Sequence, residues 1–293
     1  MATTGSAARL SIGSGWAWLG WSLAYLLLQT LTPFVRVPIG WVWIGTLLST
    51  LALMASMLGL VFSLARMCEA RRWLVFVLLG GGATALVLWF FLPAWWGVSP
   101  SRPLPLALAV FYRAFHGYLL ILTAIGLGSL LSRLIRDRNL LVPVAPFAAL
   151  VDAITVLTPM GFVKQMVEKA PAVVERAAVA VMTAPAAAPT VERVVPIVLM
   201  GVGDFVFLTL YAACLYRFGL RTGATAIALF FVLWAYLVVV MLGVAAALPA
   251  LVPMAVVVLA VNWREFRLSR QELLASLLVV GGTAALLLWL LLR

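Results

Sequence analysis

Nine apolar runs, at about 16–34, 38–65, 73–97, 104–132, 140–159, 194–216, 222–248, 249–263 and 274–292, follow one another along the chain with mostly short polar breaks. About twenty helical residues cross the roughly 30 Å hydrocarbon core of a bilayer. Lipid offers no partner to free backbone N–H and C=O groups, so segments of this kind are expected to be helical. With 66% hydrophobic and 10% charged residues, a soluble domain around a single core is excluded. The fold class expected is an all-α polytopic membrane protein with about nine transmembrane helices. Residues 1–15 read as a polar tail, 16–135 as scaffold helices, 139–263 as a second helical group interrupted by a connection at 160–193, and 274–292 as an additional C-terminal helix. The first run is too long, and its leader too poor in positive charge, for a cleaved signal peptide, so it is expected to be a retained span.

A net charge of +11 would suggest a nucleic-acid partner in a soluble protein. Here the arginines cluster at the ends of apolar runs, where they act as topology signals, and no nucleic-acid partner is expected. Short Arg-rich connections belong in the cytoplasm, and those carrying Arg66, Arg71, Arg72, Arg133, Arg136, Arg138, Arg217, Arg221, Arg264, Arg267 and Arg270 all fall on one side. That side also holds the N-terminus, so a cytoplasmic N-terminus and an external 160–193 connection are expected. Eighteen arginines against two lysines, with abundant alanine, point to a GC-rich prokaryotic genome and hence a plasma membrane. Cys68 and Cys214 have no Cys or His neighbours in sequence and read as core residues rather than a disulfide or metal site. Arg113 and His116 share a helix face and read either as the lining of a polar cavity or as part of a helix starting at the outer interface, with Arg113 snorkelling and Tyr112 and Tyr118 as anchors.

Of nine acidic residues, seven fall in polar connections, and the other two, Asp152 and Asp204, lie inside apolar runs. An ionised carboxyl at bilayer depth costs roughly 2.5–3.5 kcal/mol on insertion scales, which marks such residues as functional. Gly201 and Gly203 flank the second acid and are expected to let another backbone approach it closely within a helix. The run from Pro249 to Asn262 gives only about 21 Å of helix, so its Pro249 end stops short of the outer surface at nearly the depth of Asp152. Between the acids, Phe162–Met182 is expected to lie as an interfacial helix, 184–189 as a linker, and Thr190–Val195 as a segment ready to pair as a strand.

Gly201-Val202-Gly203-Asp204-Phe205, the preceding Asp152 with Val156, Leu157 and Pro159, and the later Pro249-Ala250-Leu251 resemble, in that order, the motifs of the presenilin and signal peptide peptidase family. The likeness covers about residues 144–260; the family's usual Tyr before the first Asp is replaced by Val151. The resemblance implies an intramembrane aspartic endopeptidase, with Asp152 and Asp204 catalytic and Gly201, Gly203, Pro249, Ala250 and Leu251 shaping the site. Residues 139–263 would then be the catalytic helices, and the substrates transmembrane helical peptides or signal-peptide remnants held in the lipid bilayer. No cofactor or metal is implied, and the residues do not decide whether accessory subunits take part. Two carboxyls held together cannot both ionise, so one can activate water while its protonated partner polarises the scissile carbonyl. Two other readings of the Asp pair stay open: an inactive binding protein of the same fold, and a proton-coupled carrier.

Overall fold

The computed structural model describes residues 16–95, 105–158, 165–166, 169–181, 198–242 and 249–291. The described chain is mostly helical. Helix α1 (Ala17–Leu31) and the long α2 (Val42–Ala70) form an antiparallel pair, and Arg71 and Arg72 make the charged turn into α3 (Trp73–Phe76). A π-turn over Val77–Gly81 leads into α4 (Gly82–Trp95), followed by α5 (Leu106–Leu131) and α6 (Leu141–Leu157). Then come the short α7 (Pro171–Arg176), strands β1 (Ala178–Val181) and β2 (Val198–Gly201), and helices α8 (Val202–Arg217), α9 (Thr222–Met241), α10 (Leu251–Asn262) and α11 (Arg270–Leu291). Among the described residues, five segments are long and apolar enough to cross a membrane: Val42–Ala70, Trp73–Leu92, Leu106–Leu134, Arg138–Leu157 and Thr222–Met241. That count fits a mostly helical membrane protein.

Helix α8 is the centre. From Phe205 to Leu215 almost every side chain is buried, including Tyr211, Ala212, Ala213 and Cys214 at 0% exposure. A helix apolar on all sides can be buried on all sides, and α8 packs against α2, α5, α9 and α10. Its closest approach is to α5 at Gly128, where an added Cβ would collide with the Val206 carbonyl oxygen and come within 2.8 Å of Thr209 Cβ. Gly126 plays the same part on the neighbouring face, lying against the backbone of Leu79 in the π-turn, and Gly82 lies against Thr123. An added Cβ at Gly80, Gly81, Gly281 or Gly282, by contrast, meets nothing within 4 Å.

Polar clamps fix the ends of the bundle. Arg217, in the last turn of α8, donates to both carboxylate oxygens of Glu69 on α2, at 2.5 and 3.0 Å. The same guanidinium donates to the Ser132 carbonyl at 2.7 Å and its hydroxyl at 2.9 Å, just beyond α5. A planar fork suits such a multiple contact, which lysine could not reproduce. Asn262, buried at the end of α10, donates to Thr225 Oγ1 and accepts from the N–H of Arg221, tying α10 to α9. Helix α11 packs along α6, and its first turn is closed by Glu272 accepting from the Ser269 N–H at 2.7 Å.

Two sequence expectations fail in one region. The run 194–216 does not continue as one helix, because Val198–Gly201 is a strand paired antiparallel with Ala178–Val181 in the register Ala178↔Gly201 to Val181↔Val198. Its partner lies in the stretch expected to be an interfacial helix over 162–182; the described part is helical at 165–166, 169 and in the six-residue α7, and the expectation fails from Ala178, where the chain turns to strand. β-Branched residues on a pleated surface favour pairing, and this pair supplies the backbone partners that a lipid-facing strand would lack. The linker 184–189, the Thr190–Val195 segment and Pro159 lie outside the described residues.

Candidate functional site

Three backbone ends converge on the acidic pair. Strand β2 ends at Gly201, which has extended backbone (φ −63°, ψ 143°) and serves as the N-cap of α8, so that Asp204 stands in the helix's first turn. From there its carboxyl reaches back to accept the Gly201 N–H, the return half of a capping box. Helix α10 begins at Leu251, directly after the Pro249-Ala250 turn, and its first free N–H donates to Asp152 Oδ2 at 3.0 Å. Both carboxyls thus occupy the positive end of a helix dipole, where unsatisfied N–H groups favour an anion.

The two acids come from different helices, α6 and α8, yet lie close enough for their charges to interact. Both are partly buried rather than sealed. Neighbouring carboxyls compete for ionisation, so a single shared proton is the stable state of such a pair. Asp152 lies two turns past Pro146, the proline inside α6, and the helix stops at Leu157. Helices α8 and α10, at 16 and 12 residues, are about 24 and 18 Å long, shorter than the hydrocarbon core.

The sequence-selected residues divide into two groups. Asp152, Asp204, Gly201 and Leu251 are brought together by the contacts above, with the buried Pro249 and the partly buried Ala250 forming the turn that aims the Leu251 N–H. The expectation for the glycines is corrected. An added Cβ at Gly203 would meet nothing within 4 Å, and one at Gly201 would meet only Asp204's own carboxyl at 3.6 Å. The backbone beside Gly201 is that of strand β1, through the Ala178↔Gly201 pair, and not a second helix. The glycines leave open space beside the acid, and the close helix contact belongs to Gly128 instead.

Two tyrosines missed from sequence belong to the site. Tyr211 is two turns beyond Asp204 on the same helix, within reach of Asp152's charge, and its buried hydroxyl has no protein partner among the described residues. Tyr236 on α9 lies within electrostatic reach of both carboxyls. The seven-residue spacing from Asp204 to Tyr211 marks one helix face and could have been read in advance. Tyr236 is the lone tyrosine of its apolar run, a weaker signal.

His116 has a specific backbone partner. Its Nε2 bonds the Arg176 carbonyl at 2.9 Å, holding the end of α7, while Gln29 of α1 donates to the Ala180 carbonyl at 2.6 Å. Together they tie α7 and β1 to α5 and α1. Cys68 and Cys214 are both buried free thiols, and no group of three or more metal-ligating side chains occurs among the described residues. No family model, no curated protein and no solved structure matches the chain.

Proposed function

We propose that the protein is an intramembrane aspartic endopeptidase in which Asp152 and Asp204 activate water for attack on a peptide bond of a transmembrane helix. The observation that carries the reading is the meeting of the two carboxyls at the starts of α8 and α10, beside the open space left by Gly203. One carboxylate takes a proton from water as it attacks the carbonyl, and the protonated partner donates to the developing oxyanion. Collapse then returns a proton to the leaving nitrogen and regenerates the shared-proton pair. A substrate helix hides its carbonyls in its own hydrogen bonds and must unwind; an added strand on β2 would supply the lost backbone partners. Short α8 and α10 would put the reaction roughly 10 Å below the membrane surface. In this reading the chain has about nine spans, with Pro249, Ala250 and Leu251 shaping the site, a cytoplasmic N-terminus and an external 160–193 connection.

The test is cleavage of a helical membrane peptide by purified full-length protein in bilayers, with product masses read directly. Cleavage lost in both Asp152→Asn and Asp204→Asn supports the reading. A protein that cuts no peptide but moves protons across the vesicle would establish the carrier alternative.

A further inference from the structure

At the end of the bundle opposite Asp204, a cavity of about 420 Å³ opens among three helices. Val142 of α6, Leu259 of α10 and Leu273 of α11 supply apolar walls, and Phe266 and Leu268 of the connecting segment close it further. The one charged lining residue is Arg264, with Trp263 beside it, 72% exposed. This is the mix of a membrane–water interface, where an indole sits at headgroup depth and a guanidinium faces phosphate.

The protein's own carboxylates do not serve Arg264. Glu265 pairs with Arg221 at 3.5 Å, and Glu272 accepts from the Ser269 N–H and from Asn139. Among the described residues Arg264 has no hydrogen bond or ion pair. Arg267 and Arg270 follow at three-residue intervals in the sequence, but of the three only Arg264 lines the cavity, and it gives the rim a free positive charge. An apolar chamber with a cationic rim is complementary to one kind of occupant, a chain-bearing anion.

We infer that this cavity binds an anionic glycerophospholipid, its phosphate on Arg264 and the upper part of an acyl chain between Val142, Leu259 and Leu273. The volume suits a ligand fragment rather than a whole lipid, so the remaining chain runs out into the bilayer. Because its walls belong to the helices that carry Asp152 and Leu251, an occupied cavity holds α6, α10 and α11 together. The inference does not depend on the peptidase reading.

The test uses full-length protein in a neutral maltoside detergent, with dioleoylphosphatidylglycerol, dioleoylphosphatidylcholine or inorganic phosphate added. Native mass spectrometry and thermal unfolding are both read. Phosphatidylglycerol should be retained in preference to phosphatidylcholine and should raise the unfolding temperature, and inorganic phosphate alone should do neither. Arg264→Gln should weaken retention about five-fold, the effect of one cation at a headgroup. Leu259→Trp, which fills the chamber without touching charge, should weaken it as well. Arg36→Gln, far from the cavity, should leave retention unchanged. Equal retention of the two lipids, full retention by Arg264→Gln or by Leu259→Trp, equal loss in Arg36→Gln, or the same stabilisation by phosphate alone would each overturn the assignment.

Discussion

The N–H of Leu251 points at Asp152 Oδ2 from 3.0 Å, across 99 residues of sequence, and so makes the Pro249 turn part of the acid's immediate surroundings. Asparagine at either acid position keeps nearly the same volume but cannot share the proton. Asp152→Asn and Asp204→Asn should each reduce peptide cleavage below a few per cent of wild type, with unfolding temperatures close to wild type. Substantial turnover by either variant would break the dyad assignment.

Tyr236 tests whether the missing tyrosine before Asp152 has been replaced from another helix. Its phenol lies within reach of both carboxyl charges. Tyr236→Phe should slow cleavage by about ten-fold at most, without altering stability, because the phenol acts on the carboxyls through space. The quantity to measure is kcat; a change confined to KM would instead place the phenol on the substrate path.

The glycines separate packing from chemistry. Gly128→Ala drives a methyl into the Val206 carbonyl and Thr209, so it should destabilise the protein by ~1–3 kcal/mol. Gly203→Ala faces open space and should leave unfolding unchanged while slowing cleavage by narrowing the room beside Asp204. Thermal unfolding and activity measured on both variants decide the matter. The opposite ranking in stability would refute the packing argument.

Orientation is open to labelling, because the native thiols Cys68 and Cys214 are buried and give little background. A cysteine at the exposed Ala177 should react with an impermeant reagent in intact cells, and one at the exposed Arg136 should not. The reverse pattern would invert the topology.

Acid should loosen one identifiable place. The Ser269 N–H and hydroxyl hold the Glu272 carboxyl below its ordinary range. A depressed carboxyl contributes stability above its unfolded value and loses it as the pH falls through the folded value. Hydrogen exchange in the first turn of α11 should therefore accelerate below the ordinary glutamate range, and Glu272→Gln should remove that pH dependence.

The parts of the site legible from sequence are those where chemistry conflicts with surroundings. A carboxyl in an apolar run, and a proline starting a run too short to span, stand out in any hydropathy profile. Strand β2 does not, because Val198-Leu199-Met200 is uniformly apolar and shows neither a period of 2 nor one of 3.6. Its partner at Ala178–Val181 is distant in sequence, and only tertiary pairing makes either a strand. Gly128 is hidden for a similar reason: glycines recur along the apolar runs, and only the fold decides which one meets a backbone.

The Arg217 clamp has a mechanical consequence. It pins α2, the end of α5 and α8 at one point, while Asp204 stands thirteen residues away at the other end of the same helix. That is a lever arm of roughly 20 Å. A tilt of about 5° about the guanidinium would carry the Asp204 carboxyl through roughly 1.7 Å, the difference between a bonded and a separated acid pair on an arm of that length. Any loosening at the heel would thus be magnified where the carboxyls meet, and the tight Gly128 contact with Val206 and Thr209 is what resists it.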